Sequence, residues 1–300
     1  MVRSIEIVEV GARDGLQNEA QIVETKDKIE LIMRAIGAGA KKLEVASFVH
    51  PKRVPQMADA EAVVEGLPDG AAEYVGLALN MRGAQRALET KIDEIGCVAI
   101  TTDSFATRNQ GQTSDESVDE CKRIVRFVHE QGRRANVTIS TSWGCPFEGE
   151  VAPERVVEMA TSLAEAGPVQ IAIADTIGVA DPWRVTDMFE RLRDALPQVS
   201  FRAHFHNTRN TGIANAFAAV QAGVDTLDAS LGGLGGCPFA PNATGNIPTE
   251  DLIYMLNRGG IETGWSAKGV AEAAAWVDTL IGDTPGMLAK AGVFPDIVAA

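Results

Sequence analysis

The sequence predicts a closed (β/α)8 barrel, an α/β fold, on three observations. Eight short β-branched or apolar runs alternate with amphipathic helical patterns along the chain. The starts of those runs recur at a mean spacing of about 31 residues, the length of one βα unit. No GxGxxG follows the first run, which removes the main support for a doubly wound dinucleotide-binding sheet. Eight units within roughly 250 residues fit a closed barrel.

The first strand is read at 5–9 (IEIVE), followed by the turn-rich GARDGLQNE and a helical pattern at 25–38. Strand two at 42–47 (KLEVAS) leads to a helix at 55–66, and strand three at 73–79 (EYVGLAL) to one at 82–90. Strand four at 94–100 (EIGCVAI) precedes a long helix at 114–132. Strands five at 136–142 (NVTISTS) and six at 169–174 (VQIAIA) precede helices at 152–166 and 182–195. Strand seven at 199–204 (VSFRAH) is followed by a helix at 209–222, and strand eight at 225–231 (DTLDASL) by one at 249–258. Short apolar strands between helices imply a parallel sheet covered on its outer face. Residues 262–300 read as one or two further helices capping the barrel, so 1–300 is taken as a single domain.

Composition excludes several classes. The chain is 45% hydrophobic and 23% charged, so it is neither disordered nor membrane-embedded. A net charge of −14 argues against a general nucleic-acid binder, which needs surplus cations to displace phosphate counterions. It leaves room for an anionic small substrate, because a buried arginine or a metal sets the field inside a cleft. Four scattered cysteines, Cys97, Cys121, Cys145 and Cys237, form no CxxC pair and suit a reduced, cytoplasmic protein. The N-terminus carries no secretory pattern, and no run approaches the roughly 18 apolar residues of a membrane span.

Catalytic groups of such barrels gather where strands end. Arg13 and Asp14 follow strand one; Glu44 and Ser47 end strand two; Asn80 ends strand three and Asp175 strand six. Strand seven closes with His204-Phe205-His206, and Cys237 and Asn246 lie after strand eight. Residues two apart on a strand share a face, so both imidazoles reach one point. They read either as hydrogen-bonded core histidines or as metal ligands. With Asp14 and Asn246 they make a mixed nitrogen and oxygen set that suits octahedral Mg²⁺ or Mn²⁺. Zinc suits it less, since no thiolate cluster is available.

Arg13 reads either as a surface arginine paired with an acid or as a guanidinium holding a developing enolate. The glycine-rich stretch ASLGGLGGCPFAPNATGN is either a phosphate-cradling loop, without the GK[ST] of a P-loop, or a mobile lid. Cys237 within it is either a small buried hydrophobe or a proton donor. Cys97 and Cys121 read as core residues, and Cys145 as structural.

Six segments carry a resemblance. VEVGARDGLQNE, EVASFVHPKRVPQMADA, WGCPFEG, ADTIGVADP, HFHNT and LGGLGGCPFAPNATGNIPTEDLIYML resemble, in order, signature segments of the hydroxymethylglutaryl-CoA lyase family. That family belongs to a metal-dependent lyase and synthase superfamily built on a TIM barrel. The resemblance runs from about residue 4 to about residue 265. The isopropylmalate-synthase branch is more distant, since its first motif usually reads DGEQ.

The resemblance implies retro-Claisen cleavage of 3-hydroxy-3-methylglutaryl-CoA to acetyl-CoA and acetoacetate, as in leucine degradation. It implies Asp14, His204, His206 and Asn246 as ligands of Mg²⁺ or Mn²⁺. Arg13 matches the enolate-stabilising arginine, Cys237 the proton-transfer cysteine, and Glu44 and Asp175 acids of the catalytic set. Arg13, Gln17, Ser47 and Asn109 are expected to contact the acyl-CoA substrate, and the chain is expected to form a homodimer. The same chemistry on a longer 3-substituted glutaryl-CoA or a citramalyl-type thioester stays open, as does a condensing synthase. A metal-binding scaffold without activity would not need Arg13. The chain departs from the family at HFHNTRNT, where the family usually reads HCHDTYGQ, and at His50 and Ala20. Asn207 and Arg209-Asn210-Thr211 are thereby expected near the metal and along the CoA path.

Overall fold

The computed structural model describes residues 4–236, 245–292 and 294. Eight parallel strands close into a barrel: β1 (Glu6–Glu9), β2 (Lys42–Ser47), β3 (Glu73–Leu77), β4 (Glu94–Ile100), β5 (Arg134–Ser140), β8 (Ile171–Asp175), β9 (Phe201–Phe205) and β10 (Thr226–Ala229). A two-stranded hairpin, β6 (Gly144–Cys145) and β7 (Gly149–Glu150), follows β5. Closure comes from β1 pairing with β10 on one side and β2 on the other, with Val8 opposite Asp228 and Glu9 opposite Ala229. The outer ring comprises α1 (Thr25–Ala38), α2 (Ala60–Glu65), α3 (Met81–Leu88), α4 (Asp103–Gln110), α5 (Ser114–Glu130), α6 (Pro153–Ala164), α7 (Pro182–Ala195), α8 (Gly212–Gln221), α9 (Thr249–Arg258), α10 (Ala267–Ile281) and α11 (Leu288–Ala291). This is the TIM-barrel architecture expected.

Strand alternation sorts the residues by face. Leu43, Val45, Val137, Ile139, Ala203 and Phe205 point outward into the continuous apolar core beneath the helices. The alternate positions turn inward and are largely polar: Lys42 and Glu44, Asn136, Thr138 and Ser140, Arg202 and His204. The barrel interior is therefore wired by charge. Lys42 Nζ bonds Glu94 Oε2 at 2.8 Å, Asn136 Nδ2 donates to Glu94 Oε1 at 2.5 Å, and Arg202 Nη2 donates to Asn136 Oδ1 at 3.3 Å.

Helix starts follow local chemistry. Thr113 and Glu116 form a capping box on α5, while Asp181 caps α7 ahead of Pro182. Asn80 caps α3 by accepting from the Gly83 amide at 2.9 Å. The structure differs from the sequence expectation in several places, of which four matter most. β5 starts two residues earlier and stops before Thr141, whose φ of +59° breaks the strand. The helix read at 55–66 splits into a 3-10 turn at Pro55–Met57 and α2. α4 went unread because DSFATRNQ offers little apolar periodicity. Of the 262–300 segment read as a cap, α10 runs alongside α1 and α9 in the outer ring, and α11 packs on both α9 and α10. Among the described residues no helix is long and apolar enough to cross a membrane.

Two buried carboxylates knit the loops beyond the C-terminal ends of the strands. Glu9 accepts from the Gly11 amide at 2.8 Å, the Leu231 amide at 3.0 Å and Thr249 Oγ1 at 2.6 Å. A Cβ at Gly11 would sit 2.6 Å from Glu9 Oε1, so only glycine admits this approach. Glu250 accepts from the Gly232 amide at 3.0 Å. Burial pushes Glu9 up to about 7 and Glu250 up to about 8, in each case against the hydrogen bonds they accept. Their unfolded values lie near 4.5, so the folded chain holds extra protons, and this stability is lost as pH rises through about 7 to 8. Glu250→Gln is neutral at every pH. Its melting temperature relative to the parent is expected to climb between pH 5 and 9 in thermal scans; a gap independent of pH would contradict the assignment.

Candidate active site

The loop after β1 is a π-helical turn at Gly11–Gly15, closed by the Gly15 amide on the Val10 carbonyl at 3.1 Å. Such a turn, rare and frequent at functional sites, presents Arg13 and Asp14 on the barrel mouth. Arg13 Nη1 bonds Asp14 Oδ1 at 2.7 Å and Nη2 bonds Glu44 Oε2 at 2.6 Å. Its Nε is buried without a partner. Two carboxylates thus fix the guanidinium and leave the buried Nε–H among its unspent donors. Burial disfavours the Arg13 charge, but Glu44 and Asp14 more than offset it.

β9 delivers His204 and, one residue beyond its end, His206, with ring centroids 5.2 Å apart. Asp14 Oδ2 lies 3.9 Å from His204 Nε2 and 3.8 Å from His206 Nε2. These spans are too long for hydrogen bonds and suit three ligand atoms around one ion. The Asp14 carboxyl is held well below the usual range: burial opposes its charge, while Arg13, both imidazoles and Asn246 outweigh it. Burial first, then the His204 charge, lowers His206 to about 4. Burial would lower His204 as well, yet its hydrogen bond and charge pairing with Asp228 raise it.

Asn246 pairs antiparallel with His206 across an isolated bridge. Its Nδ2 donates to Asp14 Oδ2 at 2.8 Å and to the Leu234 carbonyl at 2.9 Å. Its Oδ1 is buried without a partner, an acceptor a cation would satisfy. The donor set of one carboxylate, two imidazoles and one amide oxygen fits a divalent metal.

Arg13, Asp14, His204 and His206 stand on the wall of a cavity of about 1060 Å³, large enough for a sizeable organic substrate, while Asn246 is buried off that wall. Glu44, Gln17 and Asn109 also line it, and Gln17 Oε1 is buried and unpartnered. Two expected residues are placed otherwise. Ser47 is fully buried and stands off the cavity wall. Asp175 spends both carboxylate oxygens on the Val179 and Ala180 amides at 2.9 Å, bracing its own loop, and is also off the wall. Burial raises it to about 6 against those bonds. Cys237 lies outside the described residues. Cys97, Cys121 and Cys145 are buried, and Cys145 Sγ accepts from Thr102 Oγ1 at 3.1 Å.

The departures at HFHNTRNT do not line the cavity as expected. Asn207 Oδ1 accepts from the Gly212 amide at the start of α8, and Arg209 Nη1 donates to the Ile177 and Gly178 carbonyls at 3.0 and 2.8 Å. They are loop braces. His50 does line the cavity. Sequence reading missed Asp228, whose Oδ2 lies 3.0 Å from His204 Nδ1, and Arg202 behind it. The available signal was an acid isolated in the apolar strand TLDAS, beside the strand carrying both histidines.

The HMGL-like family model matches residues 4–277. An (R)-citramalyl-CoA lyase from Chloroflexus aurantiacus is 37% identical over 311 residues, covering 99% of this chain and 98% of that one. A hydroxymethylglutaryl-CoA lyase from Bacillus subtilis is 38% identical over 285 residues, covering 93% and 94%. A solved HMG-CoA lyase from Acinetobacter baumannii, in complex with coenzyme A and 3-methylmalate, superposes with a TM-score of 0.92 at 37% identity over 99% of this chain and 98% of that one.

If Asp14, His204 and His206 share one ion, Asp14→Asn and His204→Ala should each weaken Mn²⁺ binding in calorimetry. The expected loss exceeds the roughly 10–100-fold typical of removing an outer hydrogen-bond partner. Unchanged circular dichroism with unchanged Mn²⁺ affinity would dismiss the site.

Proposed function

The chain belongs to the HMGL-like family, and on that premise we propose that it is a carbon–carbon lyase cleaving 3-hydroxy-3-methylglutaryl-CoA to acetyl-CoA and acetoacetate. The observation that carries this is the Asp14–His204–His206 triad with the Arg13 guanidinium bonded to the same Asp14, all on one large cavity. Overall the 3-hydroxyl proton moves to the second acyl carbon: the bond between the second and third acyl carbons breaks, the third carbon becomes a ketone carbonyl, and the electron pair leaves as a thioester enolate that is then protonated. Asp14, His204, His206 and Asn246 would hold a divalent ion, Mg²⁺ or Mn²⁺, which would supply Lewis acidity to the substrate hydroxyl.

The chain's own groups do the rest. Arg13, clamped by Asp14 and Glu44, meets the charge developing on the thioester oxygen with a preorganised donor. Glu44 keeps that guanidinium oriented. Cys237 delivers the proton that turns the enolate carbon into the acetyl methyl group. Gln17 and Asn109 contact the acyl chain from the cavity wall. Arg53 and Arg82 are exposed on the same cavity and offer cations to the phosphates of CoA, with the His50 ring beside them as a further hydrogen-bonding group, against a chain of net charge −14. The described cysteines are unpaired, which supports a reducing, cytoplasmic setting. Trp183 on α7, 81% exposed, and Phe217 on the adjoining α8, 54% exposed, offer apolar surface to a homodimer. We take 1–300 as one domain.

The Chloroflexus relative favours a second reading, the same cleavage of a citramalyl-type thioester. A coupled assay of acetyl-CoA release, with Mg²⁺, Mn²⁺ or after chelation, separates the two. Higher kcat/KM on hydroxymethylglutaryl-CoA is expected; preference for citramalyl-CoA would support the second reading, and full activity after chelation neither.

Arg13→Met tests the enolate role. Loss of such a contact is worth about 3–4 kcal/mol, so kcat should fall roughly 10²–10³-fold with KM little changed. A rise in KM alone would make Arg13 a binding residue.

A further inference from the structure

Arg202 precedes His204 by two residues on the same inward face of β9. It is 4% exposed and forms part of the cavity wall. Its Nε lies 3.3 Å from Asp228 Oδ1, and Nη2 donates to Asn136 Oδ1 at 3.3 Å. The other oxygen of Asp228 lies 3.0 Å from His204 Nδ1. The register of β10 against β9 places Thr226 beside Arg202 and Leu227 beside Ala203, so Asp228 falls next to His204. One carboxylate therefore bridges a buried guanidinium and the imidazole whose Nε2 faces Asp14.

We propose that Arg202 is a positioning residue that, through Asp228, fixes the orientation of His204. The guanidinium against one oxygen of Asp228 holds that carboxylate in place, with its other oxygen 3.0 Å from His204 Nδ1. An acceptor fixed at Nδ1 sets the ring orientation and leaves Nε2 facing Asp14 for a ligand. Asn136, itself tied to Glu94 and Lys42, holds the guanidinium from the opposite side. The interior charge network thus ends on a metal ligand. An arginine that merely filled the barrel would be indifferent to what His204 binds.

The inference rests on the reading that Asp14, His204 and His206 hold a divalent ion, and Mn²⁺ calorimetry on the intact chain separates the two. No Mn²⁺ binding by the parent would refute the metal reading itself. With the parent binding Mn²⁺, Arg202→Met is expected to weaken it about 10-fold or more, within the range for outer-shell partners of metal ligands. Asp228→Asn should weaken it comparably, and the double variant should be no worse than the poorer single variant, because both act through one ion pair. The double variant removes both charges, so it tests the idea even where Arg202→Met alone destabilises the fold. Arg202→Lys keeps the charge, yet an ammonium cannot hold Asp228 and Asn136 together in the planar geometry of the guanidinium. It is expected to lose several-fold in Mn²⁺ affinity. Parent-like Mn²⁺ affinity in Arg202→Met, additive effects in the double variant, or a rise confined to substrate KM would each overturn the proposal.

Discussion

The site exists because the barrel closes. The ladder between β1 and β10 joins residues more than two hundred positions apart, setting Val8 opposite Asp228 and Glu9 opposite Ala229. That pairing brings the π-turn bearing Arg13 and Asp14 over the end of the strand bearing His204, and next to the segment bearing Asn246. Glu9 then ties three separate stretches with one carboxylate, at Gly11, Leu231 and Thr249. Without the ladder, Asp14 would have neither imidazole within reach. Its carboxylate would keep only Arg13, its neighbour in sequence.

Charge is organised on two scales. The chain as a whole is anionic, yet the exposed edge of its large cavity carries Arg53 and Arg82, while deeper in it Arg13 and Arg202 face the carboxylates of Asp14, Glu44 and Asp228. Cations at the rim of a concave site draw an oppositely charged substrate inward. Within the barrel the buried charges are paired rather than isolated. Breaking one partner of such a pair typically costs about 3–5 kcal/mol, so the network is mutually dependent. Asp14 is the point where network and chemistry meet, since Arg13, Asn246 and both histidines converge on it.

The fold was legible because burial imposes periodicity, and all eight barrel strands fall where apolar alternation places them. The histidine pair was legible because two residues apart on a strand means one face. Asp14 and Asn246 were legible as polar residues following strand ends, and the resemblance matched them to the same ligand set, although nothing local joins positions 14 and 246. Asp228 and Arg202 stayed hidden for a different reason: their roles arise from register between β9 and β10, which one strand read alone does not contain. Asp175 looked catalytic as an acid at a strand end, but only coordinates reveal that both its oxygens serve backbone amides. The changed residues Asn207 and Arg209 likewise looked near the metal in sequence, and loop geometry turns them to bracing instead. α4 was missed because a mostly polar helix covering a cavity lacks the apolar stripe of a core helix.

The account's central claim is that Asp14, His204, His206 and Asn246 converge on one divalent ion beside a clamped Arg13. Anomalous diffraction from crystals grown with Mn²⁺ tests this most directly. The account predicts one strong peak, bonded to Asp14 Oδ2, the Nε2 atoms of His204 and His206, and Asn246 Oδ1. An empty cavity at saturating Mn²⁺, or a peak bound by other residues, would contradict it.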